Sequence, residues 1–328
     1  MRAVVVDRWM EPSDLTASEH PEPAPAPGML RVDVHAAGCN FFDLLMARGT
    51  YQVRPPLPFV LGAELSGTVR DVGAGVEGFA PGDRVMASLP YGAFAETASV
   101  VPALATPIPQ GMSFAQAAAC PVVYPTSYVA LADRARLSPG ETLLVTAAAG
   151  GVGLAAVQLG KALGARVIAL AGGAEKLEVA RAAGADLALD YQDAGWVDAV
   201  RQATEGRGVD VVVENVGGDV FEGCMKLLAW DARLVVVGFA SGRIPEVRLN
   251  RVLLKHVSLV GLHFGAMVVQ QPARVAETRR ALAELWAAGR ARPVVFGEYP
   301  LERVAEALHA LGGRRSWGKV VLTTGRGS

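Results

Sequence analysis

The residues that most constrain the fold are an apolar run followed at once by small residues and glycines. Leu143–Ala147 has the length and composition of a buried strand, and Ala149, Gly150, Gly151, Val152 and Gly153 come soon after it. Apolar residues then recur at helical spacing. In a strand, turn and helix of this kind, glycines let the backbone approach a phosphate, and the first N–H groups of the helix point towards it. A second strand candidate follows, which completes a βαβ unit of the dinucleotide-binding type.

The bulk composition excludes several classes of protein. The 328 residues suggest about two domains, and 51% hydrophobic residues are ample for large cores. A net charge of −1 gives no overall attraction to nucleic acid or to an anionic membrane surface. No apolar run reaches the roughly 18 residues that a membrane span needs. Three cysteines far apart in sequence, Cys39, Cys120 and Cys224, predict reduced thiols in a cytoplasmic protein rather than a disulfide framework.

The pattern of elements changes along the chain. Residues 1–121 contain short strand-like runs separated by glycine and proline, whereas residues 122–263 alternate strands with helices. Alternation of that kind favours a doubly wound parallel sheet. The strand candidates of this second part are Leu143–Ala147, Arg166–Leu170, Leu187–Leu189, Val209–Glu214, Leu234–Val237 and Ser258–Leu262.

The end of the second strand bears on the choice of nicotinamide cofactor. An NAD-binding unit usually carries a carboxylate there for the ribose 2′-hydroxyl, but residues 169–174, which include Gly172, hold none. Lys176 lies just beyond, Tyr191 follows the third strand, and both are placed to meet a 2′-phosphate. We therefore expect a preference for NADPH. The alternatives are that Lys176 is a solvated first-turn residue and that Glu175 partly replaces the missing acid.

Several short motifs, in order along nearly the whole chain, carry a family resemblance. They are Asn40–Asp43, Arg48–Tyr51, Gly62–Val69, Pro81–Val85, Gly92–Glu96, Ala147–Gly153, Gly208–Val212 and Gly318–Leu322. With these motifs the sequence resembles the medium-chain dehydrogenase/reductase superfamily, and within it the zinc-free quinone oxidoreductase branch that includes zeta-crystallin. That resemblance implies an α/β protein with a GroES-like β-rich catalytic domain, residues 1–121 and 264–328, and a Rossmann dinucleotide-binding domain, residues 122–263.

Two departures from the zinc alcohol dehydrogenases of that superfamily decide the branch. Asn40 stands where those enzymes carry a cysteine ligand, and Ala63 stands where they carry a histidine. Cys39 is one residue out of register, so Glu64 alone remains of that ligand set. Catalytic zinc needs about three protein ligands, and we expect no bound metal.

A reductase without zinc is suited to acceptors that spread the incoming negative charge themselves, such as quinones and α,β-unsaturated carbonyls. By resemblance, Asn40 and Tyr51 are the candidates to hydrogen-bond the acceptor oxygen. Their alternatives are an asparagine that stabilises a turn and a packed tyrosine. Asp43 is expected to orient neighbours such as Arg48 rather than to act as a base.

The resemblance also implies which residues bind NADP(H). Thr126 is expected near the nicotinamide, with a helix N-cap as its alternative role. Asn215 follows a strand at the sheet edge where doubly wound folds bind ligands. The full expected set is Thr126, Ala149, Gly150, Gly151, Val152, Gly172, Lys176, Tyr191, Asn215, Gly238, Phe239, Ser241 and Lys319.

Three functions follow as hypotheses. The first is an NADPH-dependent quinone or enone reductase, and the second is an enoyl thioester reductase, weakly favoured by a basic cluster. The third is an NADPH-binding regulatory or structural protein with little turnover. A homodimer is expected through the apolar edge strand Ser258–Leu262. The basic cluster consists of Arg243, Arg248, Arg251 and Lys255.

Overall fold

The computed structural model describes residues 1–326, which form two compact units. The first unit contains the chain up to Val123 and the chain from Pro293 onwards. The second unit runs from Tyr124 to Arg292.

The first unit is built around strand β3, Leu30–Gly38. This strand pairs antiparallel with β5, Glu64–Val72, with β7, Thr97–Val100, and with β16, Lys319–Thr323. Over Leu30–His35 of β3, side chains alternate between buried and half-buried, as one face of the sheet covers the core, and the last three residues of the strand are all buried. The other strands and helices are β1 Arg2–Val6, β2 Ala17–Glu19, β4 Phe59–Val60, β6 Arg84–Ser88, β8 Ala105–Pro107, β15 Val295–Pro300, α1 Phe41–Ala47, α2 Phe114–Ala118 and α11 Val304–Gly312.

The second unit is a parallel sheet whose strands follow the spatial order β11-β10-β9-β12-β13-β14 within residues 1–326. The central strands are apolar and buried, as expected when helices cover both faces. The chain reverses direction of travel across the sheet between β9 and β12, and ligands bind at such a switch point in folds of this type. The strands are β9 Thr142–Val145, β10 Arg166–Ala171, β11 Leu187–Asp190, β12 Val209–Glu214, β13 Leu228–Val236 and β14 Ser258–Gly261.

Helices connect these strands. The chain enters the unit through α3, Val123–Tyr128, which continues into the π-helical turn Val129–Arg134. The remaining helices are α4 Gly151–Ala162, α5 Ala174–Ala182, α6 Trp196–Ala203, α7 Gly218–Leu227, α8 Leu249–Leu254, α9 Phe264–Gln270 and α10 Pro272–Ala287. The mixed α/β fold with a doubly wound parallel sheet, predicted from the sequence, is confirmed.

Residues 264–292 lie with the second unit, whereas the sequence places them in the catalytic domain. Packing and hydrogen bonds explain the difference. The ring of Trp286 in α10 packs edge-on against Tyr124, with centroids 5.8 Å apart. Gln158 of α4 donates from Nε2 to the carbonyl oxygen of Arg292 at 2.9 Å. These contacts attach α10 to α3 and α4, so the unit ends only at Arg292.

Within residues 1–326, no helix combines the length and apolarity that crossing a bilayer requires. The three cysteines are buried and form no disulfide. Burial raises the pKa of each thiol well above its ordinary value, so all three are neutral at physiological pH.

Candidate active site

The glycine turn after β9 is shaped by close contact between backbone segments. The amide of Ala148 donates to the carbonyl of Leu170 at 2.9 Å, which fixes the turn against β10. A Cβ atom on Gly153 would lie 2.1 Å from the carbonyl oxygen of Ala147, so only glycine lets α4 begin so close to the turn. Gly150 caps α4, and the first amides of a helix have no intrahelical acceptor. The predicted residues Ala149 to Val152 therefore lie at the start of this helix, a geometry that suits an anion, and their contact with a pyrophosphate stays a prediction.

A buried carboxylate connects the turns after β9 and β12. Glu214, with 0% exposure, accepts hydrogen bonds from the amides of Val216 at 2.8 Å and Gly217 at 3.0 Å. Asn215 donates from Nδ2 to the carbonyl of Thr146 and from its amide to the Thr146 hydroxyl, both at 2.8 Å. Burial raises the pKa of Glu214. The hydrogen bonds of Asn215 therefore connect the two turns.

The turn after β13 is attached to the same group. The amides of Ala240 and Ser241 donate to the carbonyls of Asn215 and Val216 at 3.0 and 2.9 Å. The predicted residues Gly238, Phe239 and Ser241 lie in this turn and are half-buried. The turns after three neighbouring strands therefore meet at one edge of the sheet.

Thr126 lies inside α3 and is 8% exposed, so it is not the N-cap that was its alternative role. The neighbouring Ser127 donates to the carbonyl of Val152 at 2.9 Å. This bond places α3 against the first turn of α4, next to the glycine turn.

The end of β10 brings together Gly172 and Tyr191. A Cβ atom on Gly172 would lie 3.0 Å from the Tyr191 hydroxyl, so the phenol covers this glycine. Lys176 is half-buried in the first turn of α5. The structure also places the Asp190 carboxylate here, where it accepts a hydrogen bond from the amide of Gly173 at 2.8 Å. The sequence did not predict this contact, because Asp190 belongs to the third strand. Its second oxygen accepts from the amide of Gln192 at 2.8 Å.

A buried polar cluster lies in the first unit, where β3 ends and β5 and β16 begin. Lys319 is 4% exposed, and its Nζ donates to the Glu64 carboxylate at 2.6 Å, to Asn40 Oδ1 at 2.8 Å and to the carbonyl of Cys39 at 2.6 Å. Asn40 donates from Nδ2 to the same Glu64 oxygen at 2.8 Å. The other Glu64 oxygen accepts from the amide of Val122 at 2.8 Å.

Helix α1 starts from this cluster. Asn40 is its N-cap, and the amide of Asn40 donates to Asp43 Oδ2 at 2.7 Å. Asp43 is fully buried, and within residues 1–326 its Oδ1 has no hydrogen-bond partner. Burial raises the pKa of Asp43 to about 7, an effect opposed by the Asn40 amide and by Lys319. Burial and the nearby Asp43 charge also raise the pKa of Tyr51, which stacks on Phe42 with ring centroids 5.4 Å apart.

Three sequence expectations change in the light of this geometry. The Nδ2 group of Asn40 donates to Glu64 and, at 3.4 Å, to the carbonyl of Gly38, so both N–H groups act inside the protein. Lys319, expected to bind the cofactor, uses its three N–H groups on buried oxygens. Arg48 pairs with Glu11 at 2.8 Å rather than with Asp43.

Comparison with known proteins identifies the family. Residues 26–110 match a family model described as alcohol dehydrogenase GroES-like domain, and residues 151–284 match one described as zinc-binding dehydrogenase. Quinone oxidoreductase-like protein 2 of Rattus norvegicus is 39% identical over 98% of this chain and 92% of its own length. The chain belongs to the zinc-free quinone oxidoreductase branch of the medium-chain dehydrogenase/reductase superfamily.

Solved structures agree with that assignment. Escherichia coli quinone oxidoreductase complexed with NADPH has a TM-score of 0.90 and 31% identity, covering 98% of this chain and 100% of that one. A structure titled NAD-dependent alcohol dehydrogenase has a TM-score of 0.89 and 34% identity, covering 99% and 100%. The chain is thus an oxidoreductase, and its predicted family is confirmed.

One of the matching family models is described as a zinc-binding dehydrogenase, but the residues of this chain do not fit a zinc site. Glu64 is the one ligand type retained from the zinc enzymes, and its carboxylate already binds the Lys319 ammonium at 2.6 Å. A zinc ion there would face a fixed positive charge and would have neither a cysteine nor a histidine at positions 40 and 63.

Sequence reasoning missed three residues that build these sites: the acids Glu214 and Asp190, and Thr146. Glu214 carried a detectable signal, since a carboxylate at the end of the otherwise apolar Val211–Val213 run must find hydrogen-bond donors when buried. Asp190 ends β11 in the same manner. Neither acid belongs to a short motif.

Proposed function

We propose that this chain is an NADPH-dependent reductase that transfers hydride to a quinone or an α,β-unsaturated carbonyl without a metal. The observation that carries the proposal is the glycine turn before α4, joined by Glu214 and Asn215 to the turns after β12 and β13. That arrangement supports a dinucleotide along one edge of the sheet. Bound NADPH supplies the hydride, and the residues of this chain bind, orient and protonate.

The preference for NADPH rests on the end of β10. Lys176 and the Tyr191 hydroxyl offer donors there, and both oxygens of Asp190 already accept backbone amides. A 2′-phosphate would gain charge-assisted hydrogen bonds from the lysine. The E. coli relative solved with NADPH agrees with this preference, whereas the relative titled NAD-dependent makes NADH the alternative to test.

The proton donor that we assign is Tyr51. Hydride transfer to a quinone or enone leaves negative charge on an oxygen atom, and a phenol can protonate it. The pKa of Tyr51 is raised by burial and by Asp43, so the hydroxyl keeps its proton at neutral pH. Asn40, whose amide is engaged with Glu64 and Lys319, positions α1 in this proposal.

The basic cluster does not favour the enoyl thioester alternative. Arg243 pairs with Asp219 at 2.6 Å, and Arg251 pairs with Glu222 at 2.8 Å. Lys255 donates to the carbonyl of Leu228 at 2.9 Å. Three of the four cations of the cluster thus have partners within the protein, so we keep the quinone or enone acceptor.

The experiment that tests the function is steady-state oxidation of NADPH with ortho- and para-quinones and short enones. We expect turnover with members of both acceptor classes. Tyr51→Phe should lower kcat with an enone by about 10²-fold, because it removes the proton donor. Tyr91→Phe is the matched control, since Tyr91 packs on Phe59 at the surface. Binding of NADPH without turnover on any acceptor would instead support a regulatory or structural role.

A further inference from the structure

The second unit has a cavity of about 220 Å³ at the edge of its sheet where β12 and β13 begin. The glycine turn and the turns after β12 and β13 lie at the opposite edge, where these parallel strands end. The length of β12 alone separates the two edges by roughly 16 Å, at about 3.3 Å per residue. The cavity is therefore remote from the turns to which we assign the cofactor.

The wall of this cavity carries an excess of positive charge. Four cations and, within residues 1–326, no acid line it; the four are Arg201, Arg207, Lys226 and Lys255. Arg201 pairs with Asp198 at 2.6 Å, and Arg207 pairs with Asp210 at 2.5 Å. No carboxylate in the described part of the chain pairs with either lysine. Two positive charges at one cavity thus lack a counter-charge.

Lys255 is held at the cavity by backbone oxygen atoms at the end of α7. Its Nζ donates to the carbonyl of Leu228 at 2.9 Å and to that of Lys226 at 3.4 Å. These uncharged acceptors fix the ammonium without neutralising it. The pKa of Lys255 is lowered by burial and, in addition, by the positive charges of Arg201 and Arg251. Cations this close repel one another, and a bound anion would relieve the repulsion.

Contacts within the protein fix the rest of the wall. A Cβ atom on Gly208 would lie 2.3 Å from the carbonyl oxygen of Leu227, so the loop before β12 lies directly against the start of β13. The ring of Trp230, which also lines the cavity, stacks on His256 with centroids 5.4 Å apart. Trp230 is nevertheless 72% exposed, an unusual position for a tryptophan without a ligand.

We propose that this cavity binds a small molecule through a phosphate or diphosphate group, with Lys226 and Lys255 as the charged donors. A phosphate monoester carries about 1.5 to 2 negative charges at pH 7, which matches the two lysine charges that lack a carboxylate. Charge-assisted hydrogen bonds from ammonium groups are the usual means of holding such an anion. This site is additional to the cofactor site and does not depend on the proposed reductase activity.

The test uses inorganic pyrophosphate as the probe and Trp230 as a local reporter. The chain has five tryptophans, and the indole N–H signal that is missing from Trp230→Phe identifies Trp230 in a ¹H–¹⁵N spectrum. We expect pyrophosphate to shift this signal of the wild type in a saturable manner. Lys226→Glu should weaken the affinity by at least about tenfold, because attraction becomes repulsion. The side chain of Lys226 is exposed, so this variant should fold normally.

Arg280→Glu is the matched control, since it changes the net charge equally at an exposed position of α10. Its affinity for pyrophosphate should remain within about twofold of the wild-type value, because distant exposed charges are screened. The proposal is overturned if the Trp230 signal shows no saturable shift, if Lys226→Glu binds as tightly as the wild type, or if both variants are weakened equally. Pyrophosphate bound at the glycine turn lies far from Trp230, so the reporter separates the two sites.

Discussion

Folding buries the carboxyl group of Asp43, and burial disfavours its ionised form. It is completely buried, accepts one hydrogen bond from the Asn40 amide, and has a pKa raised to about 7. Its charge also contributes to raising the pKa of Tyr51, our proposed proton donor. A change of protonation at one residue thus bears on both the stability of α1 and the chemistry beside it.

We predict a pH-dependent effect of Asp43→Asn. The folded-state pKa lies above the ordinary value of 3.8, so the folded protein holds a proton that the unfolded chain has lost between roughly pH 4 and 7. The stabilising contribution of Asp43 is complete below that window and is lost as the pH rises through it. The wild type should lose at most about 4 kcal/mol relative to the variant across the window, measured by urea unfolding. A pH-independent difference would contradict a raised pKa.

A second prediction at the scale of single residues concerns Lys176. Lys176→Ala should lower kcat/KM for NADPH by about tenfold and leave that for NADH nearly unchanged, because only NADPH carries the 2′-phosphate. Steady-state kinetics with both cofactors measure the ratio. Lys226→Ala serves as control, since Lys226 is an exposed lysine in the last turn of α7. Equal losses of kcat/KM with NADPH and NADH would show that Lys176 does not bind the 2′-phosphate.

Single residues differ in how well the sequence predicts their surroundings. The glycine turn is local, so its role follows from a few consecutive residues. Lys319 and Glu64 are 255 residues apart, and no local pattern joins them. The sequence therefore identifies Lys319 as a site residue but assigns its ammonium to the cofactor instead of to Glu64.

Strand and helix positions follow the sequence closely where apolar runs are unbroken. Val209–Glu214 is a strand with the predicted bounds, and the strand Arg166–Ala171 extends the predicted Arg166–Leu170 by one residue. β13 instead begins at Leu228, ahead of the predicted Leu234. Exposed Trp230 and Asp231 interrupt its apolar pattern, and Asp231 adopts a φ of 62°, so only the later half is recognisable as a strand.

Helix α4 gives a prediction at the scale of an element. Gly153→Ala should weaken NADPH binding by about tenfold or more, because the added methyl group displaces α4 from the turn. Fluorescence titration of NADPH measures the loss. Gly265→Ala in α9 is the control: its nearest neighbour would be 3.6 Å away, and alanine favours a helix. If Gly153→Ala binds NADPH with unchanged affinity, the glycine turn is not part of the cofactor site.

At the scale of the whole molecule, one surface of the second unit lacks a cover within residues 1–326. β14 pairs with β13 on one side only, and α8 exposes Leu249, Leu253 and Leu254 by 72–78%. Unpaired strand edges and exposed apolar side chains are typical of interfaces. We propose that a second copy of the chain covers this surface in a homodimer.

Leu253→Glu tests that assembly. The wild type should have the mass of a dimer in light scattering at micromolar concentration, and the variant should dissociate at least about tenfold more readily, because two carboxylates are buried per dimer. Val53→Glu, at a half-exposed residue of the first unit, should leave the mass unchanged. A monomeric wild type would rule out the dimer.

The bonds from Glu214 and Asn215 have a thermodynamic consequence for the protein as a whole. These hydrogen bonds already join the turns after three strands, so the turns lose little conformational freedom when a nucleotide binds to them. Calorimetry should therefore find a heat-capacity change that corresponds to the apolar area buried by the ligand alone, without the larger signature of a segment that folds on binding. Removing the Asn215 amide, as in Asn215→Ala, should make association more costly in entropy.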